Sequence, residues 1–146
     1  MTREDYMKLA MEEAEAAVRE GNAPFGVVVT DVKGTVLWKD HDRVAERMDP
    51  TAHGEINAIR SLCEKMNTLK LIDTIFYTTS EPCPTCLSAM IKARVSKSIY
   101  GARTEATASL PIAAEEIARY AKKYPIEVVG GVLAEECLAQ RERLLK

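Results

Sequence analysis

With 146 residues, 47% hydrophobic and 29% charged, the chain can form one compact domain with a core of ordinary size, and its composition excludes a disordered or low-complexity segment. A formal net charge of −2 gives no general attraction for polyphosphate, and the basic stretch over residues 141–146 is too short to form a nucleic-acid patch. No apolar run approaches membrane-spanning length, and residues 1–5 lack the apolar core of a secretion signal, so the expectation is a single cytoplasmic domain over residues 1–146.

Met7, Ala10, Met11, Ala14, Ala17 and Val18 recur at helical spacing behind Thr2, a suitable N-cap, and ahead of Gly21, a natural stop. Strands over 25–30 and 35–38 flank Asp31-Val32-Lys33-Gly34, which reads as a hairpin turn. A helix is predicted over 53–66 with Ile56, Ile59 and Cys63 on one face, followed by a strand over 74–79, a helix over 84–93 and a strand over 97–100. The last third repeats the alternation, with a helix over 111–123, a strand over 126–129 and a helix over 134–145. Strands separated by single helices need crossover connections, so the later strands should run parallel with helices on both faces, an α/β arrangement.

Two short strings carry the chemistry. His53-Gly54-Glu55 offers an imidazole and a carboxylate, and thirty residues on Pro82-Cys83-Pro84-Thr85-Cys86 offers two thiols. Cys83 and Cys86 are three apart at a predicted helix start, so their sulfurs share a face; Pro84 fits the first turn, and the positive helix end favours thiolates. One nitrogen and two sulfurs leave a tetrahedral zinc ion an open position for a reactive water, and Glu55 is suited to move that water's protons.

Plainer readings stand beside this one. Cys83 and Cys86 alone would suit a redox pair, although such pairs usually follow the first strand of their fold and have no His-x-Glu upstream. A structural zinc site would want a fourth ligand. Of the candidates, Cys63 and Cys137 fall on apolar helix faces and read as core residues, and His41, the only other histidine, reads as a loop or surface residue. Glu55 by itself would pass for a solvated helix charge.

The segments 49–60, 77–86 and 89–94, built around these strings, resemble the cytidine deaminase-like superfamily, in the branch holding guanine deaminase, cytosine deaminase and the tRNA adenosine deaminases. The resemblance covers nearly the whole chain. It implies a three-layer α/β/α sandwich around a five-stranded mixed sheet, zinc on His53, Cys83 and Cys86, and Glu55 as proton shuttle. It also implies substrate contacts from Phe25, Asp42, Gly54 and Glu81, with Phe25 a wall for a planar ring, and a homodimer or larger oligomer.

At one position the chain departs from that branch, many of whose members carry asparagine eleven residues before the zinc histidine; here the residue is Asp42. An ionised carboxylate only accepts hydrogen bonds, so Asp42 should prefer a ring edge presenting N–H groups or must itself be protonated, unless it is a plain loop residue near a turn. The negative charge, the absence of a basic tail and an aromatic content of 5% favour a free nucleobase, nucleoside or related amino-heterocycle of the guanine or cytosine type. The alternative is the adenosine of a tRNA, towards which residues 100–103 and 129–137 lean by resemblance; the aromatic C-terminal extension that closes the pocket in guanine and cytosine deaminases is not found here.

Overall fold

The structure is a computed structural model that describes residues 1–104 and 109–146. Helix α1 (Arg3–Arg19) begins at the expected cap. The Thr2 hydroxyl accepts from the Asp5 amide while the Asp5 carboxylate accepts from the Thr2 amide, so two orphan donors are satisfied together. Strands β1 (Gly26–Asp31) and β2 (Val36–His41) form the antiparallel hairpin, whose turn is held by the Asp31 carboxylate accepting from the Lys33 and Thr35 amides; Gly34 takes φ +93° there. A short α2 (Val44–Arg47), absent from the sequence reading, leads to α3 (Gly54–Met66), β3 (Thr74–Ser80), α4 (Pro84–Lys92) and β4 (Lys97–Ala102). Beyond β4 come α5 (Ala114–Arg119), β5 (Glu127–Val129) and α6 (Ala134–Leu144). Helix α5 is shorter than the span 111–123, since its cap residue Ala113 is extended and Tyr120 ends it.

The five strands lie in the order β2-β1-β3-β4-β5, with β1 antiparallel to both neighbours and β3, β4 and β5 parallel, so the mixed sheet expected from the resemblance is present. Helices α1 and α6 cover one face and α3, α4 and α5 the other. The period of two in β1 divides the core accordingly: Val27 and Val29 join Leu62, Phe76, Leu87 and Met90, while Val28 joins Met7, Ala10, Tyr77 and Ile99. Burying each of these large side chains contributes about 1.5–3 kcal/mol. Helix α1 lies so close to β1 that a Cβ on Gly26 would come within 1.9 Å of the Ala10 carbonyl oxygen, which only glycine avoids.

Helix α3 packs mainly through Ala58 and Leu62, with Ile56 buried above the sheet and Ile59 and Cys63 only partly buried at its margin. Cys137 is buried, as expected of a small apolar side chain. His41 overturns its reading as a loop or surface residue. Strand β2 runs three residues beyond 38, and His41 at its end is 3% exposed beneath α1. Among the described residues no helix is long and apolar enough to cross a membrane.

Candidate metal centre and active site

His53 caps α3 and Cys83 caps α4. Both have extended backbones (φ −68°, ψ 158° and φ −69°, ψ 164°), so each side chain leaves the axis just ahead of a helix start. Two positive helix ends therefore face one point, where anionic sulfur is favoured. Pro84 occupies the first helical position without losing a useful amide, and the Cys83 carbonyl accepts from the Leu87 amide to close the first turn, which brings Cys86 beside Cys83. His53 Nδ1 stands 3.7 Å from Cys83 Sγ and 3.2 Å from Cys86 Sγ, and the three ligand atoms all lie within 4.8 Å of one another.

The electrostatics fit a divalent cation. The hydrogen bond from Cys86, and then that from His53, draw the Cys83 thiol down to about 4, while the Cys86 thiol is held high by its partner Cys83 and by burial. His53 is raised to about 9, first by its hydrogen bond to Cys83. A thiolate sharing protons with an imidazole and a second thiol is the charge pattern a zinc ion replaces, because ligation requires these groups to shed their protons. One imidazole nitrogen and two sulfurs, half-buried to buried, are a donor set that fits zinc with a position left open.

Glu55, in the first turn of α3, is 8% exposed, and burial raises its carboxyl above the usual range while hydrogen bonding to Cys86 and the His53 charge oppose the rise. It is a buried carboxyl beside the sulfurs and not a solvated helix charge. Gly54 is buried against Val27 and the His41 backbone, where a Cβ would meet Val27 at 3.0 Å.

Asp42 follows β2 and is 4% exposed. Its Oδ2 accepts from the amides of Ala23 (3.4 Å) and Val44 (3.3 Å); burial raises its pKa, opposed by those amides and by His53 and His41. Its own amide donates to the Phe25 carbonyl, so Asp42 and half-buried Phe25 sit side by side. Asp42 lies in the loop between β2 and α2, as its plainer reading has it, and is buried there.

Glu81 has different partners from those expected of a substrate contact. Its two oxygens accept from the Thr104 amide (3.1 Å) and the Ala114 amide (2.9 Å), with Arg103 Nη1 at 3.3 Å, so it ties together the chain on both sides of residues 105–108. A cavity of about 280 Å³ opens on the Cys83 side, lined by Glu81, Cys83, Arg103, Thr104, Pro111 and Ile112 among others. His53, Glu55, Asp42 and Phe25 do not line it.

Sequence reasoning missed two residues that shape the site. Asn57, fully buried in α3, donates to the carbonyls of His41 and Ala52 and accepts from Arg47, which fixes the chain on either side of Asp42 and His53. A polar residue on the inner face two positions after Glu55 was its only sequence signal. Arg141 reaches from α6 to Ser80 Oγ (2.7 Å) and the carbonyls of Ala102 and Arg103, with its guanidinium 5.8 Å from the centre of the Phe25 ring. Its hydrogen-bond partners among the described residues are all neutral, and nothing local in the sequence announces them.

Residues 1–102 match the family model described as the cytidine and deoxycytidylate deaminase zinc-binding region. The tRNA-specific adenosine deaminase of Haemophilus influenzae is 31% identical over 134 residues, 92% of this chain and 78% of that protein. The guanine deaminase of Bacillus subtilis is 38% identical over 103 residues, 70% of this chain and 65% of that protein. A solved structure from work on A-to-I editing by tRNA:A34 deaminases superposes with a TM-score of 0.83 at 29% identity, covering 93% of this chain and 98% of its own. The chain belongs to the cytidine and deoxycytidylate deaminase zinc-binding family and is a zinc-dependent hydrolase that deaminates C–N bonds.

Proposed function

We propose that residues 1–146 act as a single deaminase domain for a free nucleobase, nucleoside or related amino-heterocycle of the guanine or cytosine type, with zinc held by His53, Cys83 and Cys86. Bound there, zinc supplies the Lewis acidity that makes water a nucleophile at neutral pH. Glu55 accepts one proton of the water and returns it to the ring nitrogen, then carries a second to the departing amine. A C–O bond forms at the amino-bearing carbon, its C–N bond breaks, and ammonia leaves with one water consumed. The apolar burial that raises Glu55 suits a group that must hold a proton as well as release it. Phe25 stacks on the ring, and Asp42 accepts from its N–H edge.

The observation that carries the reaction is the convergence of His53, Cys83 and Cys86 on one point with Glu55 buried beside them. The substrate reading rests on Asp42, a buried acceptor next to Phe25. A second reading, the adenosine of a tRNA, is favoured by the length of the match to the H. influenzae enzyme, 92% of the chain against 70% for the guanine deaminase. Ammonia release from guanine, cytosine, adenine, their nucleosides and aminotriazines, measured beside a tRNA anticodon stem-loop, separates them. Turnover of the stem-loop alone would reverse the order of the two readings. The same proposal includes a cytoplasmic homodimer. The four free cysteines suit a reducing compartment, and exposed Leu110 and Ile112, the latter lining the cavity, suit a subunit contact, which light scattering would test.

A further inference from the structure

Beneath the α1 layer, away from the two helix starts that carry His53 and Cys83, lies a second group of ligating side chains. Glu13 on α1, Glu20 at its C-cap two turns on, His41 at the end of β2, and Glu46 on α2 meet there. His41 Nδ1 is 3.0 Å from Glu13 Oε1. A ring N–H donated to that carboxylate leaves Nε2 with its lone pair outward, which is the way metal-binding histidines are oriented by an outer carboxylate.

Nε2 is the unusual atom. It is buried and makes no hydrogen bond, although Glu20 Oε2 lies 3.0 Å away, out of line for one. Two lone-pair atoms at that distance repel unless a proton or a metal cation lies between them. Arg43 leaves Nε2 and Glu20 Oε2 unserved: its Nη1 reaches the other oxygen of Glu20 at 3.4 Å and the two oxygens of Glu46 at 3.2 and 3.3 Å, while its Nε is taken by Asp40. Four carboxylates (Glu13, Glu20, Asp40, Glu46) outnumber the guanidinium of Arg43 and that of Arg47 near Glu46, so the cluster is negative. Glu46 is held in position by Asn22, which donates to its Oε1 at 2.8 Å and accepts from its amide.

We propose that His41 Nε2, Glu20 and Glu46 form a second divalent-cation site. Their ligand atoms lie within 4.8 Å of one another, and one imidazole with two carboxylates suits a first-row ion such as Zn²⁺, Co²⁺ or Mn²⁺. The cation joins the C-terminal half of α1 to the end of β2 and to α2, on either side of Asp42. Its role is to clamp these elements; it takes no part in deamination.

The test uses zinc-loaded protein, whose thiolate site is already filled, titrated calorimetrically with Co²⁺. One further equivalent should bind at submillimolar concentration, without the intense thiolate-to-cobalt absorption, and the melting temperature should rise with Co²⁺. Glu46→Gln, at a partly exposed position, and His41→Gln should abolish this uptake, and Glu13→Gln should weaken it about tenfold to hundredfold, with the first zinc and ammonia release retained. Should His41→Gln fail to fold, Glu46→Gln decides alone. Absence of a further equivalent, which would mean that a proton serves Nε2 and Glu20, or uptake unchanged in Glu46→Gln, would overturn the proposal.

Discussion

Replacing Asp42 with asparagine probes the substrate reading at its most exposed point. Both amides that touch the side chain, from Ala23 and Val44, converge on Oδ2, so they dictate how an asparagine amide must turn. The carbonyl oxygen takes the place of Oδ2 and the NH₂ group that of Oδ1. Asp42→Asn therefore keeps its local backbone contacts and converts the remaining acceptor into a donor. If that acceptor holds a substrate N–H, the loss of a hydrogen bond to a charged group costs about 1.5–3 kcal/mol, or roughly a tenfold to hundredfold fall in kcat/KM. A ring with a carbonyl at the same edge should gain relative to one with N–H groups.

The same substitution has a stability counterpart. Burial raises the Asp42 carboxyl above its ordinary value of 3.8, so the folded state holds this proton more tightly than the unfolded chain does. That contribution to stability is fully present below pH 3.8 and is lost as the pH rises through the folded-state value. Asp42→Asn lacks the loss, so in urea unfolding its stability relative to the parent should improve from about pH 3.5 to pH 7. Steady-state kinetics on the full panel are the main assay. Unchanged rates and an unchanged substrate order, with intact folding, would refute the role of Asp42 and leave it as a cap for the Val44 amide.

Glu55→Gln should retain zinc and fold while turnover falls about a hundredfold to ten-thousandfold; metal analysis showing lost zinc would make Glu55 a ligand instead of a proton carrier. The protein should bind about one zinc per chain at His53, Cys83 and Cys86, and Cys83→Ser should release most of it; zinc retained in full by that variant would remove Cys83 from the ligand set. Glu81→Gln should lower unfolding free energy by about 1.5–3 kcal/mol, because an NH₂ group would face the Thr104 or Ala114 amide, and urea midpoints unchanged from the parent would contradict a stabilising role for these contacts.

The two cysteines were legible as neighbours because their geometry is local, Cys83, Pro84 and Cys86 falling within one turn, whereas their meeting with His53, thirty residues before Cys83, came only from the resemblance. Thr2 and Gly34 were readable for the same reason, since a cap and a turn are decided within four residues. His41 was not. The run Lys39-Asp40-His41-Asp42 looks like the end of a strand because three of its residues would be expensive to bury alone. The chain buries them with partners supplied elsewhere: Glu13 lies 28 residues before His41, and the Ala23 amide 19 before Asp42.

Glu81 follows the same physics. The resemblance implies a substrate contact for it, and it lines the cavity beside Cys83. Two backbone amides from residues 23 and 33 positions further on meet both of its oxygens in the fold. On the proposed reading, substrate choice would rest on Asp42 and Phe25, whose positions distant elements set, whereas the metal-binding strings are each fixed within a turn of helix. Relatives that share the short strings can therefore share the chemistry and differ in the ring they accept. For this reason the experiment on Asp42 bears on substrate identity more directly than further identity across residues 1–102 would.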